Sequence, residues 1–354
     1  MTSAINPQPL TFPRPIFAAV SPHPFLQAHL RSSTSSKPFR ANGRLVTEFR
    51  PLGVNPGSLT HCNGSAVVRT GNTSVVCGVR AEILREEDIP GTQTYGAGAG
   101  ATAGEKDGDE HMEGSEEQEE EEEEDDGAEI ADLHLLVPNI ELSTGSTPTT
   151  LPGNAPSSLA QTLISRINSL LHSTRLLRAK DLRITYTPSI NPEDPYSAPE
   201  TVVKGYWVLY IDIFFISLDG NPFDAAWLGI LAALKSTKLP KAFYDEELEM
   251  ILCSDSPSEA KPLRLRGLPV TCTFAVFEGQ AQDDGEERKD WILSDPDAFE
   301  EAICRESVTV VLEKGGLMRV EKNGGGAVGR DEMKSLVKRS KERWAVWEAV
   351  LGKA

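Results

Sequence analysis

The sequence predicts an α+β fold in which β-rich units, each backed by helices, are used about twice. Three observations predict it. SAVVRTGNTSVVCGVRAEIL (65–84) gives two strands about a Gly71-Asn72 turn. WVLYIDIFFISL (207–218) is a long apolar strand that runs through an Asp-Gly turn straight into an apolar helix. A second β-rich stretch starts near Pro262 and closes on an amphipathic helix.

Taken in order, residues 1–39 form a proline-rich arm without an acidic residue, and FLQAHL (25–30) reads as a short helix within it. Its composition resembles a transit peptide, but six prolines between Pro7 and Pro24 argue against the amphipathic helix such a peptide needs. Residues 44–84 read as β structure. In the second strand Val75, Cys77, Val79, Ala81 and Ile83 fall on one face, the period-2 pattern of a half-buried sheet. Residues 86–131 are expected to be a disordered acidic insertion, because glycine, alanine and like charges bury too little apolar area to offset chain entropy. Order resumes at LHLLVPNIEL. After a Pro/Ser/Thr/Gly-rich connection, Leu159, Leu163, Ile167, Leu170 and Leu171 mark a helix. DLRITY is a strand, and 205–218 the long buried one. Phe223, Trp227, Ile230, Leu231 and Leu234 are the buried stripe of the following helix, with Asn221 as its N-cap and Pro222 in its first position. The second segment offers strands in PVTCTFAVFE and DWILSDP, a hairpin about Gly315-Gly316, and a closing helix with Met333, Leu336, Val337, Trp344 and Leu351 inward.

Composition excludes little. The net charge of −18 is local: residues 105–132 hold 17 acids and one base, so the rest of the chain is close to neutral. Global charge therefore neither requires nor forbids a nucleic-acid partner. Five scattered cysteines without a CxxC pair fit buried thiols in a reducing compartment better than a disulfide framework. Without a Cys/His cluster, no metal or other cofactor is expected. The longest apolar run carries Asp212 and is too short to span a bilayer, so no membrane partner is expected.

RANGRLVTEFRPLGV (40–54), NGSAVVRTGNTSVVCGVRAEI (63–83) and WVLYIDIFFISLDGNPFDAAWLGILAALKSTKLP (207–240) resemble the RNase PH family, above all its eukaryotic exosome branch. DPDAFEE (295–301) and the Lys-Gly-Gly turn at 314–316 fit the second half of the same domain. The resemblance implies an RNase PH-type domain. Its first half (40–257) would be a βαβ-rich unit similar to ribosomal protein S5 domain 2, and its second (258–354) a smaller α/β half. It further implies a six-membered ring around a channel that RNA threads, and active members cut RNA from the 3′ end with phosphate as the nucleophile. Implied partners are other RNase PH-like ring subunits, S1/KH-type cap subunits, RNA and an associated hydrolytic nuclease. The implied residence is nucleus, nucleolus and cytoplasm.

Active members place a Gly-Thr-Arg sequence directly after the Asp-Gly turn. Helix N-termini favour anions through free N–H groups and the dipole, and an arginine adds a bidentate clamp. Here Asp219 and Gly220 are followed by Asn221, Pro222, Phe223 and Asp224. Proline removes a donor, Phe223 stands where the arginine would be, and Asp224 puts a carboxylate in the first turn. A phosphate about 5 Å from that carboxylate would meet roughly 3 kcal/mol of repulsion at an effective dielectric near 20. The expectation is a vestigial phosphate site on a self-capped helix, with no catalytic residues. Of the basic helix that active members carry, only Arg166 is retained. Asp295, Glu300 and Glu301 lie near the family's acidic pair but at a different spacing. Arg69 and Arg166 are the candidate RNA contacts. An active phosphorolytic exoribonuclease is the alternative, and would need Arg80 or Arg166 to replace the clamp.

Overall fold

The computed structural model describes residues 13–31, 38–89, 126–153, 157–188, 201–280 and 289–353. The chain opens with two short helices, α1 (Arg14–Val20) and α2 (Pro22–Arg31). Their prolines sit in first turns, where the missing N–H costs nothing and the fixed φ suits the helix. Leu26 and Leu30 of α2 are buried against Phe277, Trp291 and Leu293, forming a small second core. The proline-rich arm is thus part of the folded body over these residues.

The first half is built on β1 (Leu52–Pro56), β2 (Gly64–Thr70) and β3 (Thr73–Arg85), a meander of antiparallel pairs. Gly71 takes a positive φ of 59° at the turn between β2 and β3. Residues 126–132 form helix α3, followed by β4 (Leu136–Leu142), α4 (Ser158–Thr174), α5 (Ala179–Leu182), β5 (Arg183–Tyr186) and β6 (Val202–Ser217). The sheet order is β1-β2-β3-β6-β4, with β5 also on β6. β6 is antiparallel to β3 and parallel to β4, so β4–α4–β6 is a βαβ crossover. Val75, Cys77 and Val79 are all fully buried, as their alternation predicts.

From β6 the chain passes into α6 (Pro222–Ser236). Short strands β7 (Lys238–Leu239), β8 (Ala242–Asp245), β9 (Met250–Cys253) and β10 (Lys261–Pro262) follow, then β11 (Val270–Phe277), β12 (Trp291–Ser294), α7 (Ala298–Ile303), β13 (Glu306–Glu313), β14 (Gly316–Asn323) and α8 (Arg330–Lys353). The second sheet runs β12-β11-β13-β14, antiparallel throughout. In the second half α7 links β12 to β13, which run parallel to each other on either side of β11. α6 lies between the sheets, against β2 and β3 on one side and β11 on the other. Every residue from Pro222 to Leu234 is buried, not only the expected stripe. A helix flanked by two sheets has no solvent face, so its apolar residues run all round.

Three expectations are corrected. The insertion does not run unstructured from 86 to 131: 86–88 form a 3-10 turn with Glu86 paired to Lys204 at 3.6 Å, 90–125 lie outside the described residues, and 126–132 are helical. There Glu129 is buried against Arg183, Asp126 meets Arg266 at 2.7 Å, and Ile130 joins the main core. Leu159 is exposed, and Ala160 takes its place on the buried face of α4. In α8 Trp347 is the deeply buried aromatic, 1% exposed, while Met333, Val337 and Trp344 are only half-buried.

Candidate functional site: the junction between β6 and α6

The Asp219-Gly220-Asn221 turn is held from both halves. Gly220 has φ 72°, and a Cβ there would lie 2.4 Å from the Asp297 backbone carbonyl carbon, so only glycine permits this contact. Thr73 Oγ1 donates to the Gly220 carbonyl at 3.1 Å and accepts from the Asp219 N–H at 3.0 Å. Arg50 donates to the Asp219 and Gly220 carbonyls and grips Asp295 through Nε and Nη2 at 2.9 and 2.7 Å.

Asn221 stands at the N-cap position of α6, but in the left-handed region, φ 50° and ψ 56°, and its side chain caps nothing. This corrects the self-capped helix. The Asn221 amide Nδ2 instead donates to Asp224 Oδ2 and Asp295 Oδ1, each at 2.8 Å. Its backbone N–H donates to Glu301 Oε1 at 2.7 Å. Asp224 is bound from the second half as well: its carboxylate accepts from the Thr273 N–H at 2.8 Å and Thr273 Oγ1 at 2.9 Å. Burial pushes Asp224 above the usual carboxylate range. For Asp295 burial acts in the same direction, but the Arg50 ion pair and the Asn221 amide overcome it and hold Asp295 well below.

Phe223 does not open onto a space for an anion. The Arg166 guanidinium of α4 lies over its ring, 4.0 Å from the centroid. The same guanidinium pairs with Glu321 at 2.9 Å and donates to Thr309 Oγ1 at 3.2 Å. The retained base is therefore bound to the chain's own carboxylate, hydroxyl and ring. Arg69 is elsewhere: it donates to the Gly71 carbonyl at 2.9 Å across its own turn and takes no part in this network among the described residues. Arg80 pairs with Asp212 at 3.5 Å.

The acids near the second half prove structural in their contacts. Asp295 is the hub just described. Glu300 is buried against Arg40 at 3.1 Å and completes a capping box with Asp297. Sequence reasoning missed Arg40, Arg44 and Arg50, three arginines in one eleven-residue segment. Arg40 is 1% exposed and donates to the carbonyls of Val46, Glu48 and Ser294. Their signal was the density of arginine in RANGRLVTEFR. Nothing local says that their partners lie some 250 residues away.

With this geometry in view, the comparisons are informative. The model of the 3′ exoribonuclease family, domain 1, matches residues 48–98 and 111–240, just over half of the chain. The chain belongs to this family. It is 27% identical over 317 residues to "Exosome complex component rrp43" of Schizosaccharomyces pombe, covering 89% of this chain and 90% of that protein. It is 26% identical over 295 residues to "Exosome complex component Rrp42" of Pyrococcus furiosus, covering 83% and 81%. Among solved structures, the Archaeoglobus fulgidus exosome with RNA bound to the active site superposes with a TM-score of 0.58 at 21% identity, over 93% of this chain and 98% of that one. An archaeal exosome core gives 0.56 at 18%, over 95% and 100%. These likenesses establish the RNase PH-type fold across both halves.

Proposed function

We propose that this chain is a non-catalytic subunit of the hexameric ring of an RNA exosome. It would support 3′–5′ RNA processing and degradation, in rRNA maturation and mRNA turnover, by completing the ring and lining part of its RNA channel. One observation carries the reading: the β6–α6 junction is filled from within. The Asn221 amide N–H group binds both Asp224 and Asp295, Asp295 pairs with Arg50, and Arg166 is taken up by Phe223, Glu321 and Thr309. An incoming phosphate would have to break the Arg166–Glu321 pair and approach first-turn Asp224. The exosome names of the relatives support the assembly. On this reading the partners are the other RNase PH-like subunits, S1/KH-type caps, the threaded RNA and an associated hydrolytic nuclease, and the chain resides in nucleus, nucleolus and cytoplasm.

The test is native mass spectrometry of the tagged protein purified from its source cells, with a phosphorolysis assay on the isolated chain. The expected result is a defined assembly of several different subunits and no phosphate-dependent release of nucleoside diphosphates. A lone monomer or a homo-hexamer would sink the ring reading. Release that vanished in Arg166→Ala would replace it with the active exoribonuclease.

A further inference from the structure

On the side of the molecule formed by α5, β5, β7 and β10, three basic segments distant in sequence converge. The β7–β10 pairing sets Leu239 opposite Lys261, and the Arg266 N–H donates to the Leu176 carbonyl at 2.9 Å, just before α5. Between them lies a cleft of about 560 Å³ lined by Lys180, Arg183, Lys241, Lys261 and Arg264, with Asp181 as its one acid. Two of these cations are engaged: Arg183 by buried Glu129, and Lys241 by Glu259 at 3.3 Å. Lys180, Lys261 and Arg264 are exposed and have no ion pair among the described residues. Such a concentration of one sign, outside a strongly acidic tract on a near-neutral body, makes a local positive field that attracts polyanions.

We propose that this cleft binds the sugar–phosphate backbone of single-stranded RNA, independently of sequence and apart from the β6–α6 junction. The floor of Trp207, Leu239 and Leu263 is buried, so it offers no open aromatic face for a base to stack on. What remains to contact is phosphate. Two of the unpaired cations are lysines, mobile point charges suited to successive phosphates rather than to the forked pairing of one carboxylate. The choice of RNA as the polyanion rests on the exosome reading, whereas the choice of a polyanion rests on the cleft alone.

The experiment measures binding of a fluorescein-labelled oligouridine to the full-length chain by anisotropy between about 50 and 200 mM salt. The variant Lys180→Ala/Lys261→Ala/Arg264→Ala is compared with Lys334→Ala/Lys338→Ala/Lys341→Ala, which removes the same charge from exposed positions of α8. Each phosphate contact on a single strand contributes about 0.7 to the slope of log K against log salt, so the cleft variant flattens the slope by about 2. The α8 variant leaves it unchanged, and both unfold at the wild-type temperature because the altered side chains are exposed. An unchanged slope in the cleft variant, or equal flattening in both, overturns the proposal. So does a cleft variant that keeps its RNA affinity but loses partners in native mass spectrometry, which would make the cleft a protein interface. Failure of the exosome reading is seen separately, in wild-type protein that purifies without partners while the oligouridine measurement stands.

Discussion

Arg50 and Asp295 hold the two halves of the molecule together at one point. Both are buried, and Arg50 also binds the two carbonyls that lead into α6. Breaking such a pair from one side leaves an uncompensated charge, which costs about 3–5 kcal/mol. Arg50→Met is expected to destabilise by that amount in chemical denaturation at neutral pH. The pH dependence follows from the lowered Asp295. A carboxylate that ionises more easily folded than unfolded contributes fully above its ordinary value of 3.8 and loses that contribution as pH falls toward the lowered one. In Arg50→Met the ion pair left to it among the described residues is the one with Arg44, at 3.8 Å. The stability gap between wild type and variant is therefore expected to narrow as pH falls below about 4. A gap independent of pH would mean that Arg50 acts through its carbonyl contacts and not through Asp295.

At the scale of elements, α2 shows how an arm becomes part of a body. It adds Phe25, Leu26 and Leu30 to the edge of the second sheet, and His23 stacks on Phe277 with centroids 4.6 Å apart. Leu26 is fully buried, so Leu26→Ala is expected to cost about 2–5 kcal/mol. A loss under about 0.5 kcal/mol would place the arm outside the cooperative unit. The short helix itself was legible in FLQAHL, as the strands β2, β3 and β6 were legible in their alternation and apolar length. What covers each face was not. α6 reads as a stripe because periodicity reports one neighbour, and its second neighbour, β11, begins 34 residues beyond the helix. At the junction the residue identities Asn221, Pro222, Phe223 and Asp224 were legible. The network they enter was not, because Asn221 in a left-handed conformation and Arg166 stacked on Phe223 are properties of tertiary placement.

For the whole molecule, the acidic insertion and the folded body meet at a boundary that composition misplaces. The charge run continues through Asp132, so a reading by charge carries the insertion to residue 131. Among the described residues the fold is already in place at Asp126. Asp126 pairs with Arg266, Glu129 with Arg183, and Ile130 enters the core that β4 and α4 share. Acids at the end of a charge run become structural where basic residues from distant segments await them, a match that composition cannot display. Two deletions separate the readings. Removing residues 100–125 keeps these three anchors, and removing 100–130 takes them all. With the second deletion Arg183 and Arg266 lose carboxylate partners and the Ile130 side chain leaves its site. The expected difference in stability between the two is at least about 3 kcal/mol, from the lost pairing and the lost apolar burial together. Thermal unfolding of the two proteins side by side measures it. Equal transition temperatures would return residues 126–130 to the insertion.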